Sequence, residues 1–324
     1  RYNNASQLKR NRKKVGRNMN NDNFNDFVKK QIINANNISN LYNYPSNITH
    51  LLYLIIPAFI LKYGLEQERY IINAFTKIPI IISDKEDNIY QAYYQSIPIK
   101  KDNSYEIYKC IVLRNYKNIS LMQLLDNLVH EFNHAINSIY QESKEIEDKI
   151  YLRTGLTYII YNRNTLKQVK KDESYILEEI INTKQTEIII NIINSFNKYS
   201  INDITVTNTL YAINHSITNS FKSNAYLLQS LVCKTLIENK TFFSTLENLR
   251  LKGNVDELDS WFDNITGDLG SYKKLISILN DVMKYQIKLN ENKKFNYFTI
   301  RKIKKLNISA IEIINKFDAN CNYR

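Results

Sequence analysis

The chain has 324 residues, a formal net charge of +12, 44% hydrophobic and 23% charged residues. That balance excludes a disordered chain and leaves room for one large domain or two small ones. Only 6 Gly and 4 Pro are present, too few for the many tight turns of a sandwich or barrel, so the composition favours helices. Asn, Ile, Lys and Tyr are abundant, as an AT-rich genome would supply them, and this bias accounts for the positive charge without a nucleic-acid or membrane partner.

Residues 1–20 are polar and basic without an apolar period, and they read as a solvated, flexible tail whose KRNRKK run needs no ligand. An amphipathic helical pattern starts at Phe24. The longest apolar run, LLYLIIPAFILKYG at 51–64, is too short to span a bilayer and carries Pro57 in its middle. It predicts a buried helix with a kink, or two short elements. Three pieces rich in Ile, Val and Tyr follow, at 78–83, 89–96 and 105–115, and predict a small sheet. From 120 onwards the apolar spacing predicts helix almost throughout, most clearly over 174–198, 221–240 and 271–290. The expected architecture is α+β and mostly helical. A basic tail (1–20) precedes an N-terminal lobe with the sheet and a histidine-bearing helix (21–140), and a helical lobe follows (141–324).

Cys110, Cys233 and Cys321 are widely spaced and odd in number, and make neither a disulfide framework nor a thiolate zinc site. A reduced compartment and a secreted chain without disulfides are equally consistent with them. A start at Arg1 leaves room for a signal or lipid anchor removed upstream.

Two of the four histidines fall in the segment NISLMQLLDNLVHEFNHAINSIY at 118–140. Ser120 and Gln123 form the signature of a capping box, and Ile119 and Leu124 that of a hydrophobic staple. Leu121, Leu124, Leu125, Leu128, Phe132 and Ile136 then recur at helical spacing. On such a helix His130 and His134 project from one face a turn apart, a separation that suits two nitrogens on one tetrahedral zinc. Glu131 stands where it reaches a metal-bound water rather than the metal, completing an H-E-x-x-H pattern. Chance gives this pattern in roughly a few chains per thousand of this composition. Leu128, Val129, Phe132 and Ala135 indicate burial, and buried histidines need partners.

A catalytic zinc keeps three protein ligands and an open position. Neither His50 nor His215 stands at the short downstream spacing of a third histidine, so a carboxylate on a second helix is expected, within SYILEEIINTKQTEIIINIINSF at 174–196. Glu178 and Glu179 compete. From Glu179 the helical steps reach Asn182, Thr183 and Thr186, which suit a face turned into a hydrated cleft. From Glu178 they reach Ile181, Asn182 and Gln185, a mixed face, so Glu179 is the preferred ligand. H-E-F-N-H followed some forty residues later by L-E-E-I-I-N-T-K-Q-T-E resembles the glutamate-ligand zincins, or gluzincins, over residues 75–195. Many bacterial members carry a second helix of the form L-N-E-G-L-x-E-x-L-T-E. The family's ligand Glu falls on Glu179 and its later T-E on Thr186-Glu187, with Glu178 and Ile180 as departures.

The resemblance implies a zincin-like fold, one Zn²⁺ per chain on His130, His134 and Glu179, Glu131 as general base, and a peptide or protein substrate. It also implies an oxyanion stabiliser from the C-terminal lobe, for which Tyr226 is the choice and His215 and Tyr175 are rivals. The stretch YLRTGLTYIIYN at 151–162 is expected to be an exposed hairpin. A peptide-deformylase arrangement would recruit Cys110 as the third ligand, but Cys110 sits in an apolar strand-like run without the loop such a ligand uses. A zincin-fold binding or effector protein has no need of an intact Glu131, and a nucleic-acid-binding protein needs clustered basic and aromatic residues where these are dispersed.

Overall fold

The computed structural model describes residues 19–83, 91–102, 104–114, 118–140, 142–171, 174–216, 227–292 and 297–322, so nearly all of the expected basic tail lies outside the described residues. The chain is α+β and mostly helical, with a small mixed sheet and a separate antiparallel sheet. Two compact units divide it. The first takes the described parts of 1–97, 107–136 and 185–221, the second those of 98–106, 137–184 and 222–324.

In the first unit, α1 (Asn21–Tyr42) starts where the Asn20 side chain accepts the Asn23 N–H at 2.9 Å, and it buries Phe24, Val28, Ala35 and Ile38. α2 (Ser46–Tyr63) is one helix, not the two short elements that Pro57 allowed. Every residue from Leu51 to Ile60 is buried, and burial on all sides offsets the hydrogen bond that proline cannot make. No single described helix is long and apolar enough to cross a membrane. Ser46–Tyr63 and Leu65–Lys77 pass such a test only together, across a 117° bend. α3 (Glu68–Lys77) sets the Phe75 ring 4.1 Å from Phe132.

β1 (Ile80–Ser83), β2 (Ala92–Lys101) and β3 (Ser104–Arg114) fall where β-branched and aromatic residues predicted strands, and form a sheet of order β1-β3-β2. β1 runs parallel to β3 with Ile80 opposite Ile111. α4 (Leu121–Ile136) is the histidine helix, α5 (Tyr175–Ser195) enters this unit from Gln185 onwards, and α6 (Ile204–Asn214) closes it.

The second unit corrects the expectation of helix from 120 onwards. β4 (Ser143–Ile146), β5 (Lys149–Thr154), β6 (Thr157–Asn162) and β7 (Gln168–Lys171) form an antiparallel sheet in sequential order. The strands are four to six residues long, too short for a period-2 signal to stand out beside the long helical repeats. The hairpin at 151–162 is real, but it is not exposed. Ile150, Leu152, Arg153, Leu156 and Thr157 are all buried.

The remainder is helical: α7 (Leu227–Val232), α8 (Lys234–Glu238), α9 (Lys240–Lys252), α10 (Leu258–Thr266), α11 (Ser271–Asn292) and α12 (Tyr297–Asn322). The part of the predicted 221–240 helix that is described is two short helices meeting at Cys233. Phe242, Phe262 and Phe317 centre the core, with the last two rings stacked at 4.6 Å and Phe242 edge-on to Phe317 at 5.2 Å. The three cysteines are free thiols.

Candidate metal centre

α4 begins as its sequence dictates. The Ser120 hydroxyl accepts the Gln123 N–H at 3.2 Å, but the Gln123 side chain bonds Gln91 instead of returning to close the capping box. The apolar face is buried from Leu124 to Ile136, and this rotation aims His130 and His134 together, with ring centroids 5.0 Å apart at 78°. Asn133, between the motif's Glu and second His, is fully buried. Its Oδ1 accepts the Tyr63 hydroxyl at 2.7 Å, and its Nδ2 donates to Gln185 Oε1 on α5 at 3.0 Å. The two helices are thus tied within the first unit by a neutral amide pair.

His130, His134 and Glu179 form a group that could hold a metal ion, each offering one ligand atom and all of these lying within 4.8 Å of one another. His134 is buried, while His130 and Glu179 are half-buried. Two imidazoles and a carboxylate, with no thiolate, make a nitrogen and oxygen donor set that suits zinc in a site retaining an open position. Glu131 is buried beside His130 in sequence, and its Oε2 accepts the Tyr94 main-chain N–H from β2 at 2.6 Å. That bond fixes the direction of the carboxylate.

Glu178 has a different fate. Its Oε2 accepts the Leu156 N–H and Arg250 Nε, both at 2.8 Å, and its Oε1 accepts Arg250 Nη2. The side chains are 1% and 0% exposed. Asn182 and Thr186, read as a hydrated face, are also buried. Asn182 Oδ1 accepts from Arg250 Nη2 at 2.9 Å, so this position serves an internal network.

The other expected residues that are described do not belong to the metal group. His50 lines a cavity of about 350 Å³ with Asn47, Leu121, Thr205 and Asn208. His215 stacks on Tyr211 at 3.9 Å and bonds its carbonyl. Tyr175 packs against the core of the second unit. Cys110 is buried in β3, where burial raises its thiol pKa, and the described metal group does not include it. Tyr226 falls outside the described residues.

Sequence reasoning missed Tyr94, whose contribution is a main-chain N–H and so leaves no trace in residue type. It also missed Arg250, although an Arg between Leu249 and Leu251 was a sign of burial, and Arg153 beside Leu152 was another. Compared with protein-family models, curated proteins and solved structures, the chain matches none.

Proposed function

We propose that the protein is a zinc-dependent metallopeptidase of the gluzincin type. The observation that carries this reading is the meeting of His130, His134 and Glu179, with Glu131 one position after the first histidine on the same helix. A zinc ion held there would lower the pKa of a coordinated water towards about 7 and polarise a carbonyl oxygen.

The chain's own residues do the rest. His130 and His134 supply neutral imidazoles from adjacent turns of α4, and Glu179 supplies the anionic donor from α5. Glu131, held by the Tyr94 N–H, accepts the proton of the attacking water and passes it to the leaving amine nitrogen. A scaffold with no turnover would have no use for a general base at this position.

Elemental analysis and a peptide-library screen test the reading together. Wild type should carry about one zinc per chain, and His134→Ala and Glu179→Ala should lose it. Glu131→Gln should keep the metal and lose roughly 10²- to 10⁴-fold in peptide turnover. A folded, metal-replete wild type without zinc would overturn the proposal.

A further inference from the structure

We infer that Glu178 and Arg250 are positioning residues that set the rotation of α5 and so aim Glu179 at the metal. This rests on the metal-centre reading above. The Arg250 guanidinium grips α5 at two places on one face, Glu178 and, one turn later, Asn182 Oδ1 at 2.9 Å. The arginine is itself set in a rigid frame. Its carbonyl accepts Arg153 Nη1 at 2.7 Å, and the same Nη1 donates to Gly155 O at 2.6 Å. Gly155 N–H donates to Ser138 Oγ at 3.0 Å, and Leu156 N–H returns to Glu178 at 2.8 Å. The hairpin turn between β5 and β6, the end of α9 and the first turns of α5 are therefore one hydrogen-bonded assembly.

The geometry of a helix turns this grip into control of the neighbouring residue. Successive side chains on a helix are about 100° apart, so fixing the face of 178 and 182 fixes the direction of 179. A rotation of about 20° would sweep a carboxylate about 5–6 Å from the helix axis through about 2 Å, against a tolerance near 0.2 Å in a metal bond. Further along α5, Gln185 accepts the Asn133 side chain at 3.0 Å, beside the ligand His134. Glu179 thus lies between two buried polar grips, one charged and one neutral. Gly155 fits the same account. It has φ +59°, and a Cβ there would overlap the Glu178 carboxylate.

If the pair held only the fold, its loss would lower stability and leave metal affinity of the folded molecules unchanged. Zinc affinity of the full chain, measured by competition with a chromogenic chelator well below each unfolding midpoint, separates the two. Glu178→Met/Arg250→Met removes both charges together and so strands neither. It should bind zinc about ten- to a hundred-fold more weakly. Asn182→Ala should show a smaller loss in the same direction. Leu279→Ala, buried elsewhere in the second unit, should bind zinc as wild type does in its folded fraction. Wild-type affinity in the folded double variant overturns the inference, and if that variant does not fold, wild-type affinity in Asn182→Ala overturns it. A wild type that binds no zinc fails the metal-centre reading, a result distinct from either.

Discussion

The two helices that supply the metal group are held in place by opposite means. α4 is seated by apolar packing, with Leu124, Leu125, Leu128 and Phe132 buried and the Phe75 ring against Phe132. Two of its polar ties, Tyr63 to Asn133 and Asn133 to Gln185, are neutral, and a third is the Tyr94 N–H donated to Glu131. The start of α5 is seated by a buried ion pair, Glu178 with Arg250, inside a frame of arginine-to-carbonyl bonds. Truncating an apolar side chain costs the transfer energy of the lost atoms plus that of the cavity left behind, because neighbours relax only partly. A buried ion pair behaves differently, since removing one partner leaves the other charged and unsolvated, while removing both costs little.

That asymmetry predicts the largest effect. Arg250→Ala should destabilise the protein by about 3–5 kcal/mol in urea unfolding, and Glu178→Met/Arg250→Met should recover most of that loss. Leu128→Ala, at a fully buried position on α4, should cost about 2–5 kcal/mol, and no polar second change should rescue it. Equal stability of Arg250→Ala and the double variant would break the comparison.

How far each helix could be read beforehand follows from the same difference. His130, Glu131 and His134 lie within five residues, their helix has its own Ser120 cap, and its buried face repeats at 3.6 residues, so everything needed is local. Glu178 and Arg250 are 72 residues apart, and nothing local to either names the other. The choice between Glu178 and Glu179 leaned on Asn182, Thr183 and Thr186 as markers of a wet face. The structure groups Glu179 with the histidines, but of the three only Thr183 is half-buried, Asn182 and Thr186 are buried, and Asn182 belongs to a polar network within the protein. The sheet from β4 to β7 was hidden for a related reason. Its inward residues include Arg153 and Thr157, which a hydropathy pattern scores as surface.

Gly155 sharpens the comparison on a smaller scale. At φ +59° it occupies the first central position of the two-residue turn between Thr154 and Thr157, where two-residue hairpins favour glycine. Gly155→Ala should cost about 1–3 kcal/mol from the left-handed backbone alone. The added methyl would also displace the Glu178 carboxylate, so the full loss should exceed that of Gly155→Ala in a Glu178→Met/Arg250→Met background. A thermodynamic cycle over the four proteins measures the excess, and an excess of zero would detach the turn from the ion pair.

Asp263 provides the converse case, a carboxylate gripped by donors but open to water. From the end of α10 it accepts the Gly270 and Tyr272 N–H groups and the Ser271 hydroxyl at the start of α11. Burial pushes its pKa up, yet these hydrogen bonds outweigh burial and hold it below the usual value. A lowered folded pKa means that the unfolded chain binds its proton first as pH falls. The stabilisation is therefore fully present above about pH 4, the unfolded value, and is lost as pH drops through the folded one. Asp263→Ala should cost about 1 kcal/mol at pH 6, the ordinary worth of a helix cap, and the gap from wild type should narrow as pH falls through the lowered folded pKa. A gap that stays constant as pH falls would mean that these donors do not favour the charged carboxylate.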